Sequence, residues 1–165
     1  MILKNVLAIA EEAYQQEQER MKSLNQKADN LTRYVSIFLV LLNIILPLVV
    51  KYTQIKFILA VFAYIFVCVP SIISLIFAVK EQRLSTICRF PDGHSLIKVA
   101  SEENLKTNDE WLKYKISQYD LAIKTLEQNN DEKVKDIKIG YGSYILSVIM
   151  LTLFTLWIII AEYII

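Results

Sequence analysis

Three uncharged apolar runs, separated by charged stretches, set the pattern of this chain: residues 34–50, 57–79 and 139–161. At about 1.5 Å of rise per residue, the first is near the lower length for a membrane crossing, and the other two suffice to cross with tilt. Arg33 and Lys51 bracket the first run, where both can snorkel to headgroups, and Glu162 follows the third. A buried helix of a water-soluble protein rarely carries an uncharged run this long. The pattern predicts three transmembrane helices. Residues 51–56 alone separate the first two, which predicts a tight antiparallel helical hairpin.

The polar stretches have a pattern of their own. In residues 1–33 and onward, Leu7, Ala10, Tyr14, Met21, Leu24, Ala28, Leu31, Val35 and Phe38 recur at alternating spacings of three and four, with Glu17 interrupting one seam position. This is a heptad seam that enters the first apolar run without a break, so one helix is expected to join arm and span. Residues 108–110, Asn-Asp-Glu, make a helix start with a cap and first-turn acids. A second seam follows at Leu112, Ile116, Tyr119, Ile123 and Leu126. Asn129, Asn130 and Asp131 either break it or let it resume at Val134 and Ile137 and feed the third span. The simplest packing sets the two seams together, within one chain or between chains. Residues 85–100 differ: Arg89-Phe90-Pro91-Asp92-Gly93-His94 is a turn sequence, which predicts an irregular loop.

The expected fold is therefore all-α and integral to a membrane. An amphipathic arm (1–33) leads to a transmembrane hairpin (34–79). A loop with a heptad-patterned helix (80–138) then leads to a third transmembrane helix (139–165). Composition supports this. Apolar residues make up 55% of the chain, above the average for soluble domains, and three glycines and three prolines leave little material for hairpins. The N-terminus lacks the basic start and long apolar stretch of a signal peptide, so targeting is expected from the spans themselves. Eleven Lys or Arg lie in residues 80–138 and five in residues 1–33, which predicts that both regions are cytoplasmic and that the C-terminus lies outside. A net charge of +1 gives no bulk attraction to nucleic acid. Cys68 lies in an apolar run and Cys88 in a charged region, so no structural disulfide is expected.

Candidate chemistry is sparse. There is one histidine, His94, and no His, Cys or carboxylate set at metal-ligand spacing. Gly93, Gly140 and Gly142 are the only glycines, so there is no phosphate-binding loop. The acid pairs Glu11-Glu12, Glu102-Glu103 and Asp109-Glu110 read as solvated helix faces or first-turn acids. No catalytic constellation, metal site or cofactor site is predicted, and the chain is read as non-enzymatic. The polar residues within the spans carry more information. Asn43 lies mid-span and needs a partner helix or a water path. Ser71 and Ser74 share a face of the second span after Pro70, and Ser143, Ser147 and Thr152 with Gly140 suggest a small polar stripe on the third. These serve either as packing contacts or as a polar face lining a path. Pro47 and Pro70 either kink their helices or mark backbone satisfied by neighbours. Gly140 and Gly142, where the third span begins, act either as a hinge or as a close helix contact.

At the entry to the first span the chain reads Leu24-Asn25-Gln26-Lys27-Ala28-Asp29-Asn30-Leu31. This resembles the entry motif of small bacterial antiphage membrane effectors, the Pycsar transmembrane effectors and the related SLATT-type proteins, which often show Leu-Asp-x-Lys-Ala-x-x-Leu there. Lys27, Ala28 and Leu31 match, and Asn25 stands where an aspartate is common. The layout of arm, hairpin and helical cytoplasmic segment is also similar, and a third span fits the Pycsar type better than a two-span plan. The resemblance implies an effector of the bacterial inner membrane. A cyclic-nucleotide second messenger, or a soluble protein that senses infection, would trigger it to form a homo-oligomer and impair the bilayer, in abortive infection. If the chain itself takes a nucleotide, Arg83, Arg89 and Lys98 are the cations to expect around the phosphates; otherwise they are positive-inside anchors.

A second reading is a non-enzymatic membrane scaffold that recruits a soluble partner through coiled-coil arms. A constitutive channel or transporter is disfavoured, because no charge lies at a span centre and no inverted repeat is visible.

Overall fold

The computed structural model describes residues 2–52, 57–83 and 107–164. They form three helices: α1 (Ile2–Tyr52), α2 (Phe57–Arg83) and α3 (Asn108–Ile164). Each is long and apolar enough to cross a membrane. The predicted irregular loop at 85–100, with His94 and Cys88, lies outside the described residues.

Arm and first apolar run form one helix of 51 residues, as the unbroken seam predicts. The second long helix is just as continuous. Asn129, Asn130 and Asp131 do not break α3, which runs for 57 residues through them and through Gly140 and Gly142. The start of α3 is set one residue earlier than expected. Thr107 is the cap: the Glu110 N–H donates to its Oγ1 at 3.2 Å, and the Thr107 N–H donates to Glu110 Oε2 at 3.0 Å. This reciprocal box satisfies two backbone donors that a bare helix end leaves open. Asn108 is then the first helical residue rather than the cap.

The chain divides into two compact units, residues 1–24 with 84–134 and residues 25–83 with 135–165. In the first, α1 and α3 run parallel, since Glu11 meets Lys115 and Glu17 meets Asn130. Tyr14 packs edge-on against Tyr119 at 5.6 Å between ring centres. Tyr14, Leu24, Leu112 and Leu126 are buried, and all four are seam positions.

In the second unit all three helices pack together. Leu31, Val35 and Ala78 form one buried cluster, and Leu42, Val67 and Cys68 form another. Low numbers on α1 meet high numbers on α2, so this pair is antiparallel. The close approach of Leu31 to Gly140 and the contact of Phe38 with Tyr144, at 5.7 Å between ring centres, show α3 parallel to α1. The outward faces are apolar. Of the most apolar window of each helix, only 12%, 28% and 11% is buried within the chain. Ile37, Val40, Ile44, Phe66, Ile76 and Leu153 are each about half exposed or more. A water-soluble bundle buries its apolar stripe, so these faces require an apolar surrounding.

Candidate functional site: buried polar contacts between helices

Glu17, the residue that interrupts the seam of α1, meets Asn130 of α3. The Asn130 amide donates to the Glu17 side chain at 2.8 Å and to the Glu17 carbonyl at 3.0 Å. Asn130 is fully buried, and its Oδ1 has no hydrogen-bond partner among the described residues. Lys133, one turn on and also on the seam, is only 1% exposed. Spacing explains both. From Leu126, steps of four, three and four reach Asn130, Lys133 and Ile137, so the heptad phase carries two polar residues into the contact. Arg20 flanks this layer, donating to Asp131 at 2.7 Å and to Glu17 at 3.4 Å. The hydrogen bond to Asp131, aided by the charges of Glu17 and Asp131 and opposed by slight burial, holds the guanidinium above its ordinary basicity. Farther up the arm, Lys115 pairs with Glu11 at 2.9 Å, and the Tyr119 hydroxyl donates to the same carboxylate at 3.4 Å.

The spans hold a second set of polar contacts. Asn43 donates to the Leu39 carbonyl at 2.8 Å and accepts from the Tyr64 hydroxyl at 2.8 Å. The partner helix expected for Asn43 is thus α2. Ser71 and Ser147 are both fully buried. Ser71 donates to Ser147 Oγ at 2.8 Å, and Ser147 donates to the Val67 carbonyl at 2.9 Å. The Val67 carbonyl also lies 3.1 Å from Ser71 Oγ. One proton per hydroxyl allows a chain from Ser71 through Ser147 to Val67. Ser74 is also fully buried, and its hydroxyl has no partner among the described residues. Thr152 does not join this face. It is exposed and donates to the Val148 carbonyl of its own helix at 2.9 Å. Five residues beyond Ser147 is about 140° around a helix, which turns Thr152 away.

Gly140 packs closely. A methyl group there would come within 2.8 Å of Leu31 Cδ2 and 3.5 Å of the Ser74 carbonyl, whereas Gly142 has open space around it. The entry motif meets α3 at the same level. Ala28 and Leu31 are fully buried, and the Tyr141 hydroxyl donates to the Lys27 carbonyl at 3.4 Å. An ion pair between Lys80 and Asp136 ties α2 to α3 in this unit. Of the three cations considered for a nucleotide, Arg83 closes α2 with its side chain outside the described residues, and Arg89 and Lys98 lie outside them entirely. No cluster of three or more His, Cys, Asp or Glu that could hold a metal occurs among the described residues.

No family model, curated protein or solved structure matches this chain. Sequence reasoning missed Asn130 and Lys133 as contact residues, although their heptad phase carried the signal, and it missed Tyr64 as the partner of Asn43. No feature of one helix alone marks that tyrosine.

Proposed function

We propose that this chain is a membrane effector of bacterial antiphage defence. In this reading it crosses the inner membrane three times, with the N-terminus and the segment between α2 and α3 in the cytoplasm. A trigger, either a cyclic-nucleotide second messenger or a soluble sensor protein, releases it to assemble with further copies and impair the bilayer. The distribution of Lys and Arg supports the orientation. The parallel course of α1 and α3 within the span unit fits an odd number of crossings. The entry motif at Lys27, Ala28 and Leu31 supports the kinship.

The observation that carries the reading is the polar layer of the buried Asn130 and Lys133, with the half-buried Glu17 bonded to Asn130, in a seam built on two helices that continue into apolar spans. Polar and charged groups in a coiled-coil contact cost stability and specify register. Such a pairing is selective and separable, which suits an inactive state that a trigger undoes. The exposed apolar faces of the spans suit assembly with other copies.

The test is membrane potential in bacteria expressing the chain strongly, read with a depolarisation-sensitive dye. Native chain is expected to depolarise the cells, and Asn43→Leu, which removes the contact to Tyr64, to lose that effect. A scaffold for a soluble partner is the second reading. It is favoured by Ile2, Ile9 and Leu121 in the arm unit, which are 80%, 67% and 63% exposed. Unchanged potential with both forms present in the membrane, and recovery of one soluble protein by the native arms, would replace the effector reading with this one.

A further inference from the structure

The close serine and glycine contacts between α2 and α3 give way past Ser147. Beyond it, large side chains face one another, and a cavity of about 160 Å³ opens between the three helices. Leu42 and Val49 of α1, Ala63 and Tyr64 of α2, and Leu151 and Thr155 of α3 line it. The two polar groups in this wall are already engaged. Tyr64 donates to Asn43 at 2.8 Å, and Thr155 donates to the Leu151 carbonyl at 2.9 Å. A buried water needs two to four polar partners, and this wall offers too few. An apolar cavity of about 150 Å³ stays dry and accepts a group as large as benzene. Ala63 is the small residue that leaves the space.

We propose that this cavity is a binding site for lipid hydrocarbon, seating the methyl-terminal part of an acyl chain between α1, α2 and α3. The inference rests on the membrane reading above. The groove belongs to helices whose outer faces are apolar, so acyl chains are the solvent at its mouth. Its occupant has to be hydrocarbon, because the wall has no free donor for a headgroup or a polar ligand. A seated chain fills contacts that the three helices leave empty, which couples their spacing to the lipid around them.

The full chain is reconstituted in vesicles of phosphatidylcholine and phosphatidylglycerol containing some phosphatidylcholine with a diazirine near the acyl methyl end. After photolysis, adducts are mapped by mass spectrometry. Adducts on the cavity residue Leu151, which is half-buried, are expected to exceed those on Leu153 and Leu156, which are 57% and 50% exposed on the outer surface. Ala63→Leu is expected to reduce the cavity adducts and Ala63→Phe to abolish them, while the outer adducts persist. The milder change keeps the comparison available if the larger one disturbs folding. Cavity adducts no more frequent than outer ones, or unaltered by a variant that keeps its helicity and outer labelling, would overturn the site. Absence of adducts on both faces would instead remove the membrane reading and the site with it.

Discussion

Asn130 and Glu17 show how a few atoms can set the cost of a pairing. Asn130 is fully buried and ties α3 to the half-buried Glu17, and losing a hydrogen bond in such a contact costs on the order of 1 kcal/mol, with Arg20 still beside the carboxylate. Asn130→Ala should therefore lower the thermal stability of the purified chain in detergent, followed by circular dichroism. The double change Glu17→Leu with Asn130→Leu should recover or exceed the native midpoint, because apolar side chains of similar size replace buried polar groups without loss. A midpoint that falls further in the double variant would mean that the layer stabilises outright. Tyr119 gives a pH-dependent counterpart. Burial, chiefly, and the Glu11 carboxylate push its phenol above its ordinary value, with Lys115 opposing. A group whose folded value is raised contributes stability below its unfolded value of about 10 and loses it as pH rises through the folded one. The arm pair should thus weaken above about pH 10, and Tyr119→Phe should flatten that fall in a pH series of melting curves.

Two glycines separated by one residue illustrate what an element needs from its neighbours. Both lie inside α3, yet only Gly140 touches another helix closely. Alanine at Gly142 gains up to about 1 kcal/mol of helix propensity with nothing to displace. The same change at Gly140 must move the fully buried Leu31, and overpacking of this kind costs about 1–3 kcal/mol. Gly142→Ala is expected to raise the unfolding midpoint and Gly140→Ala to lower it; equal effects would show that Leu31 yields freely. The start of α3 is testable in the same way. Thr107→Ala removes half of a reciprocal cap and should cost about 0.5–2 kcal/mol. Faster hydrogen exchange confined to the first turn of α3 would register it, and unchanged exchange there would mean that Asn108 caps the helix after all.

For the whole molecule, the prediction is a dependence of membrane potential on Asn43. Its amide oxygen joins α1 to α2 by accepting from Tyr64, so Asn43→Leu removes a directional tie and leaves the apolar packing around it. Loss of depolarisation with normal membrane levels of protein places that tie in the working assembly. Retained depolarisation excludes it from the mechanism and turns attention to the arm seam.

Much of this architecture is legible in one dimension. Runs of uncharged residues mark the three long helices, because charge is excluded from hydrocarbon at any position along a run. The alternating spacing of Leu7 through Phe38 marks a buried stripe, and Tyr14, Leu24, Ala28, Leu31 and Val35 are all buried on it. The continuity of arm and span follows from the same unbroken phase. The identity of partners does not follow. Periodicity fixes which face of a helix is inward, but the rotation and offset of one helix against another depend on how all their side chains fit together. Asn130 reads as a helix breaker in isolation and becomes a contact residue only when Glu17 stands opposite. Thr152 reads as part of a serine stripe and is turned outward by the helical repeat. The sequence by itself determined the helices, their apolar lengths and the seams; only the tertiary structure decided that Asn43 meets Tyr64, that Ser71 meets Ser147, and that a cavity remains beside Ala63, because those depend on register between helices that no single-helix pattern encodes.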